Sequence, residues 1–392
     1  MTAPPPPFPS ETTKKRTMIQ PERFYQALAH EDITFYAGVP DSLLKNLCAY
    51  ITDHADPRNN IIAANEGGAV GLAAGYHLAT GKTPAVYMQN SGEGNVVNPL
   101  MSLTDRDVYH MPVLLIIGWR GEPGVHDEPQ HVKQGKVTLP LLDAMGIEHA
   151  ILSSDEEEAA AQVGHAAERM RATGEAYALV IRKGTFADYK LQTTVADESA
   201  LTREQAIQMV AGSMDDRAVV VSTTGKISRE LFEYRAAEHQ GHERDFLTVG
   251  SMGHASQIAL GIALHQEDRP VYCFDGDGAV IMHMGALAIS GSMAPDNFYH
   301  ILFNNGVHDS VGGQPTVGYR IDLPEIAAAC GYKTVLSVDN ADDLSEVLDN
   351  LTDNEAPLFL EIKVKKGARA DLGRPTTTPE ENKRALMDFL RH

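Results

Sequence analysis

Cysteine is scarce and poorly placed for cross-linking. The 392 residues hold three, Cys48, Cys273 and Cys330, with no Cys-x-x-Cys pair. An odd, scattered set excludes a disulfide framework and reads as reduced core thiols of a cytosolic protein. Long apolar runs are missing too. The longest, Met111 to Trp119, is far too short to span a bilayer. Basic residues are outnumbered, 33 Lys and Arg against 53 Asp and Glu, for a net charge of −20. That balance argues against nucleic acid and anionic membrane as partners. It leaves room for a small anionic substrate, which a few local cations can hold. The N-terminus lacks the hydrophobic region of a secretory signal. Residues 1–17 are Pro-rich and then basic, and read as a disordered arm, with a cleaved organellar leader as the alternative.

What is present is one grammar used twice: an apolar strand, then an amphipathic helix. Strands are expected near Thr34–Ala37, Ile61–Ala64, Pro84–Gln89, Val113–Gly118 and Ala176–Ile181, with helices at Glu66–Ala79 and Ser154–Arg171. In the second helix Ser154 reads as the N-cap, and the acidic run after it as a solvated helix start. The chain turns polar from Lys183. Strands resume near Ala218–Ser222, Phe246–Val249, Val271–Phe274, Tyr299–Phe303 and Pro357–Val364. Alternating strands and helices predict two α/β domains, each a doubly wound parallel sheet. The expected boundaries are an arm at 1–17, a first domain at 18–190, a linker at 191–201 and a second domain at 202–392.

The chemistry concentrates at Val271-Tyr-Cys-Phe-Asp-Gly-Asp-Gly278. Val271 to Phe274 reads as a buried strand, and Gly276 and Gly278 allow a sharp turn at its end. Asp277 then sits at the carboxyl edge of the sheet, where open α/β folds bind ligands. The next strand ends in Asn304-Asn305, with Asn305 lying 28 positions after Asp277. A carboxylate and an amide on adjacent strand tips form an oxygen cage for a hard cation such as Mg²⁺, and so a seat for a diphosphate. Two rival motifs fail. Thr80-Gly-Lys-Thr83 would need glycine where Tyr76 stands to be a P-loop. Gly276-x-Gly278 is followed by Ile281 where a dinucleotide fingerprint needs its third glycine.

The Gly-Asp-Gly and Asn-Asn pair resembles the signature of thiamine-diphosphate enzymes. The resemblance implies that Asp277, Asn305 and the Val307 carbonyl hold Mg²⁺, with Gly276 and Gly278 at the diphosphate. It implies that Glu66, opening the small-residue helix Gly67 to Tyr76, activates the aminopyrimidine ring. Locally, the same carboxylate could simply complement a helix dipole. By resemblance Met252 of Gly250-Ser-Met-Gly253 is the wedge that bends the cofactor and Gly250 accepts a bond from the ring amine; plain core filling is the alternative for Met252.

Loops at Gly38 to Leu44, Met88 to Asn95, Gly118 to Gly124, Asp127 to Lys133 and Asn304 to Thr316 narrow the resemblance. They are similar to the two-domain decarboxylases of this family, which lack a middle domain and act on phosphono- or sulfo-substituted pyruvate. That implies a pyrimidine-binding domain followed by a diphosphate-binding domain, in a homodimer or larger homo-oligomer with sites between subunits. Asp41 is the expected proton carrier over the reacting carbon, although an aspartate after Val-Pro can instead cap the following helix. His131, in a polar loop, is a second proton carrier. Arg120 and Lys133 are the expected cations for the substrate's anionic tail. His308 and Ser310 lie in a flexible loop that can close over the substrate. The competing classes are a non-catalytic diphosphate-binding module and a nicotinamide dehydrogenase, the latter disfavoured by the missing glycine.

Overall fold

The computed structural model describes residues 18–193 and 199–392. The expected N-terminal arm and the middle of the expected linker lie outside the described residues. The first half holds strands β1 (Tyr36–Gly38), β2 (Asn60–Ile62), β3 (Ala85–Gln89), β4 (Leu114–Gly118), β5 (Glu148–Ile151) and β6 (Tyr177–Ile181). Its helices are α1 (Pro21–His30), α2 (Lys45–His54), α3 (Glu66–Thr80), α4 (Glu93–Pro99), α5 (Pro129–Ala144) and α6 (Glu156–Thr173). The second half holds β7 (Val219–Ser222), β8 (Asp245–Leu247), β9 (Val271–Gly276), β10 (Phe298–Asn304), β11 (Thr334–Val338) and β12 (Leu358–Lys363). Its helices are α7 (Arg203–Gly212), α8 (Lys226–Ala237), α9 (Ala255–Ala263), α10 (Asp277–Met282), α11 (Gly285–Met293), α12 (Leu323–Ala329), α13 (Ala341–Asp349) and α14 (Pro379–Phe389).

Each half is one six-stranded sheet, ordered β2-β1-β3-β4-β6-β5 and β11-β12-β10-β9-β7-β8. All named pairings are parallel. Counting strands from the start of each half, both sheets read 2-1-3-4-6-5. The repeated grammar is therefore a repeated topology. Central strands β4 and β10 are buried along their whole length, because helices cover both faces of a parallel sheet. No third sheet separates the halves among the described residues.

Local rules place the helix ends. The Asn65 side chain accepts from Gly68 N at 2.8 Å and starts α3, which Gly81 ends at φ 71°. The N-cap of α6 is Asp155, not Ser154: its Oδ1 accepts from Glu157 N and Glu158 N at 3.1 and 3.0 Å. The expected turn at Gly276 and Gly278 does not use left-handed backbone, since neither glycine has positive φ. Gly278 instead gives room, because a Cβ there would lie 3.1 Å from the His308 ring and 3.4 Å from Met252 Cε.

The apolar cores stay separate. Buried clusters of the first half end at Phe186, and those of the second begin at Leu201. Phe186 packs edge-on against Phe24 with centroids 5.3 Å apart. The polar stretch after Lys183 thus begins as part of the first core. The halves meet through polar contacts instead. Asn65 Nδ2 donates to the Met282 carbonyl at 3.2 Å, and Arg374 pairs with Glu128. Between them lies a cleft of about 800 Å³, lined by residues just past the carboxyl ends of both sheets.

Candidate active site

Asp277 is the first residue of α10, directly after β9, and is 2 % exposed. Its Oδ2 accepts from the Thr316 hydroxyl, and the backbone N–H groups of Asn305 and Gly278 also point at the carboxylate. Burial nevertheless raises its pKa to about 6, because no cationic side chain faces it. An acid kept from water without a positive partner is the donor a hard divalent cation needs. Asn305, 6 % exposed, sits at the end of β10 and its Oδ1 accepts from Val307 N at 3.1 Å. Val307 is buried beside it. Oxygen donors from two adjacent strand tips fit Mg²⁺ and a diphosphate. Behind this turn, Cys273, Asp275 and His300 form a fully buried cluster, in which Asp275 Oδ1 accepts from Gly276 N at 3.0 Å and steadies the strand end.

Glu66 begins α3 on the opposite wall of the same cleft. It is 5 % exposed, and its Oε2 accepts from Asn95 Nδ2 at 2.7 Å. Gly92 passes so close that a Cβ there would lie 2.5 Å from Glu66 Oε1. Gly250 follows β8 at φ 68° and donates its N–H to Thr224 Oγ1 at 3.0 Å. The next residue, Ser251, is also left-handed at φ 48°, a strained state for a residue with a side chain. This turn presents Met252 to the cleft beside Gly278. One cleft therefore holds the carboxyl of Glu66, the Met252 side chain and the Asp277–Asn305 pair.

In this structure the two halves of the chain touch at the Asn65–Met282 and Arg374–Glu128 contacts, and residues of both line the cleft.

Other sequence-chosen residues fare unevenly. His131 and Gln130 line the cleft, but from the first turn of α5 rather than from a loop. Burial, with the Arg120 charge behind it, lowers the His131 pKa and favours a neutral imidazole. His308 also lines the cleft, and burial takes its pKa down to about 4. Ser310 is there too. Asp41 is not among the lining residues. It is fully buried below Ser42, its Oδ2 accepting from Leu43 N and Leu44 N at 2.9 and 3.3 Å and its Oδ1 from Gln89 Nε2 at 2.6 Å. These bonds close a turn ahead of α2, whose N-cap is Leu44, and Asp41 reaches the cleft through Gln89 and through Ser42, whose hydroxyl lies 3.5 Å from its Oδ1.

The two expected anion-binding cations are placed differently. Arg120 lines the cleft, but Asp127 grips its guanidinium in bidentate fashion at 2.8 and 2.5 Å, and Ser42 takes a third N–H at 2.8 Å. Lys133 is exposed on α5 and outside the cleft lining. Sequence reasoning passed over Asn95, Gln89, Thr224 and His283, which the fold brings to the same wall or floor. No local pattern distinguishes them from surface polar residues. Lys226 and Arg229 at the start of α8 were also missed. Their signal was the Thr223-Thr-Gly-Lys226 run at the end of a predicted strand.

Comparison with known proteins agrees with this geometry. Residues 21–147 match the thiamine pyrophosphate enzyme N-terminal TPP binding domain, and residues 223–362 match the C-terminal TPP binding domain. Fold and site together are those of a thiamine-pyrophosphate enzyme of two domains. The chain is 36 % identical over 375 residues to the phosphonopyruvate decarboxylase of Streptomyces viridochromogenes, covering 91 % of each chain. It is 35 % identical over 388 residues to that of Streptomyces hygroscopicus, covering 95 % of this chain and 94 % of the relative. The sulfopyruvate decarboxylase of Methanosarcina acetivorans is more distant, at 28 % over 386 residues, covering 93 % of this chain and 96 % of the relative. The chain belongs to the phosphonopyruvate decarboxylase family of thiamine-diphosphate-dependent carboxy-lyases.

Proposed function

We propose that the protein decarboxylates 3-phosphonopyruvate to phosphonoacetaldehyde and CO₂, in phosphonate biosynthesis, with thiamine diphosphate and Mg²⁺. The observation that carries this reading is the meeting of Glu66 and the Asp277–Asn305 pair in one cleft. Asp277, the Asn305 side chain and the Val307 carbonyl would hold the metal, with the diphosphate beside Gly276 and Gly278. When bound, thiamine diphosphate supplies a carbanion for the 2-keto carbon and takes up the electrons left as CO₂ departs.

The chain's own groups do the rest. Glu66, braced by Asn95 and by the Gly92 backbone, would exchange a proton with the aminopyrimidine ring. Met252 would fill the bend of the cofactor, and the Gly250 carbonyl would take a bond from its amine. His131 and His308, both lining the cleft and biased toward neutral imidazole, would carry protons near the reacting carbon. Asp41 would act through Gln89 and Ser42. Free thiols support a cytoplasmic setting, and the family resemblance supports a homo-oligomer.

Sulfopyruvate is the second reading, favoured by the sulfopyruvate decarboxylase relatives. The test is to strip metal and cofactor, restore both, and measure CO₂ from phosphonopyruvate, sulfopyruvate and pyruvate. Phosphonopyruvate should be preferred. Preference for pyruvate, or no restoration by thiamine diphosphate with Mg²⁺, would overturn the proposal.

A further inference from the structure

The proposed reaction replaces a carboxylate by a hydrogen, so a proton is taken up from water for every CO₂ released. Glu66 is the carboxyl proposed to trade a proton with the cofactor's ring, yet it is poorly connected to water. It is 5 % exposed, with Asn95 on one oxygen and the Gly92 backbone against the other. A proton carrier so enclosed needs a neighbour that reaches solvent.

His283 is placed for that. It follows Met282, the last residue of α10, and the Met282 carbonyl accepts from Asn65, the residue before Glu66. Glu66 and His283 thus come from elements joined at adjacent residues, and both line the cleft. The His283 ring is half-buried, and its Nε2 is shut from water with no hydrogen-bond partner among the described residues. Gly253, at φ 82°, makes room for the ring, since a Cβ there would lie 2.6 Å from His283 Cδ2. Burial and then the His254 ring lower the pKa of His283, while the Glu66 carboxylate acts to raise it. The imidazole is therefore neutral near pH 7 and able to accept a proton.

His254 completes the line. Its ring lies 4.6 Å from that of His283, tilted by 51°, and is exposed. Its Nδ1 donates to the Ser251 carbonyl at 3.1 Å, which leaves Nε2 as its basic nitrogen. Glu66 from α3 and His254 from the turn before α9 are the titratable groups that act on His283. One of them is enclosed and the other stands in water.

We propose that His283 carries protons between Glu66 and solvent, with His254 at the outer end. This rests on the decarboxylase reading above. A proton arrives at one ring nitrogen as another leaves from the second, so the imidazole ends neutral and no other bond changes. His283 acts through Glu66 and has no need to touch the substrate. His283→Gln removes the titratable ring and keeps a polar side chain of similar size. It should lower kcat by about tenfold at pH 8, where free protons are scarce, and by less at pH 6. KM and affinity for thiamine diphosphate should stay within about twofold of wild type. Imidazole added to the buffer should restore part of the loss at pH 8, which it would not do for a structural defect. Wild-type kcat at pH 8, or an equal loss at both pH values without rescue, would overturn the relay.

A second measurement needs no turnover. In the cofactor-free protein, nuclear magnetic resonance follows the His283 ring as pH is varied, in wild type and in Glu66→Gln. Removing the carboxylate should move the His283 titration to lower pH. An unchanged titration would show that the two groups do not communicate, and would sink the proposal. A shift as expected, in a wild type that releases no CO₂ from phosphonopyruvate, would uphold the link between Glu66 and His283 and count against the proposed function alone.

Discussion

Single carboxyls decide the chemistry, and neighbouring atoms tell them apart. Glu66 is braced at one oxygen by Asn95 and faces the cleft. Glu66→Gln should cut kcat by about 100-fold or more, while thiamine diphosphate with Mg²⁺ still binds. Loss of binding instead would make Glu66 a structural support. Glu93 behaves differently. It is 2 % exposed, bonds only the Thr138 hydroxyl, leaves Oε1 unpartnered, and burial raises its pKa to about 8. An acid that is harder to ionise folded than unfolded favours the fold only while protonated. Stability from this site is thus full below the ordinary glutamate pKa and falls as pH rises toward 8, after which it is flat. Glu93→Gln should therefore raise the melting temperature at pH 8 and leave it nearly unchanged at pH 4. Equal shifts at both values would contradict that cause.

Elements explain what was legible and what was not. Asp277 and Asn305 could be placed from sequence because a buried strand followed by Gly-Asp-Gly leaves few conformations open. The central strands were equally plain, being apolar throughout. The edge strands β5 and β11 went unseen. Each pairs on one side only and is largely half-exposed, so its residues carry no continuous apolar run. Arg120 and Lys133 looked alike on paper. Only the loop path shows that Asp127 folds back on one, and only the helical turn of α5 shows that the other points outward. Gly92 was likewise silent, since its use is to let Glu66 lie against bare backbone. Gly92→Ala should lower kcat by about tenfold or more through displacement of that carboxyl, with the far-ultraviolet circular dichroism unchanged. Wild-type kcat would show that the carboxyl tolerates the shift.

At the scale of the whole molecule, residues just past the carboxyl ends of both sheets line one cleft. Mixing Glu66→Gln with Asp277→Asn tests whether subunits share it. Walls drawn from two subunits should return activity to about a quarter of wild type when the inactive variants are denatured together and refolded, because about one site in four then carries both native carboxyls. No return of activity would mean that each chain builds its own site. Thr193 is anchored to Asp53 and Ser199 to the Lys363 carbonyl, and among the described residues no buried cluster crosses from one half to the other.

That division of the interior has a practical corollary. If each half owns a finished hydrophobic centre, the covalent tether between residues 193 and 199 serves chiefly to keep the pieces at high local concentration. Severing it should give two soluble fragments that find each other again and regain catalysis on mixing, more weakly as they are diluted. A gene encoding this chain could then be divided in two without abandoning the enzyme.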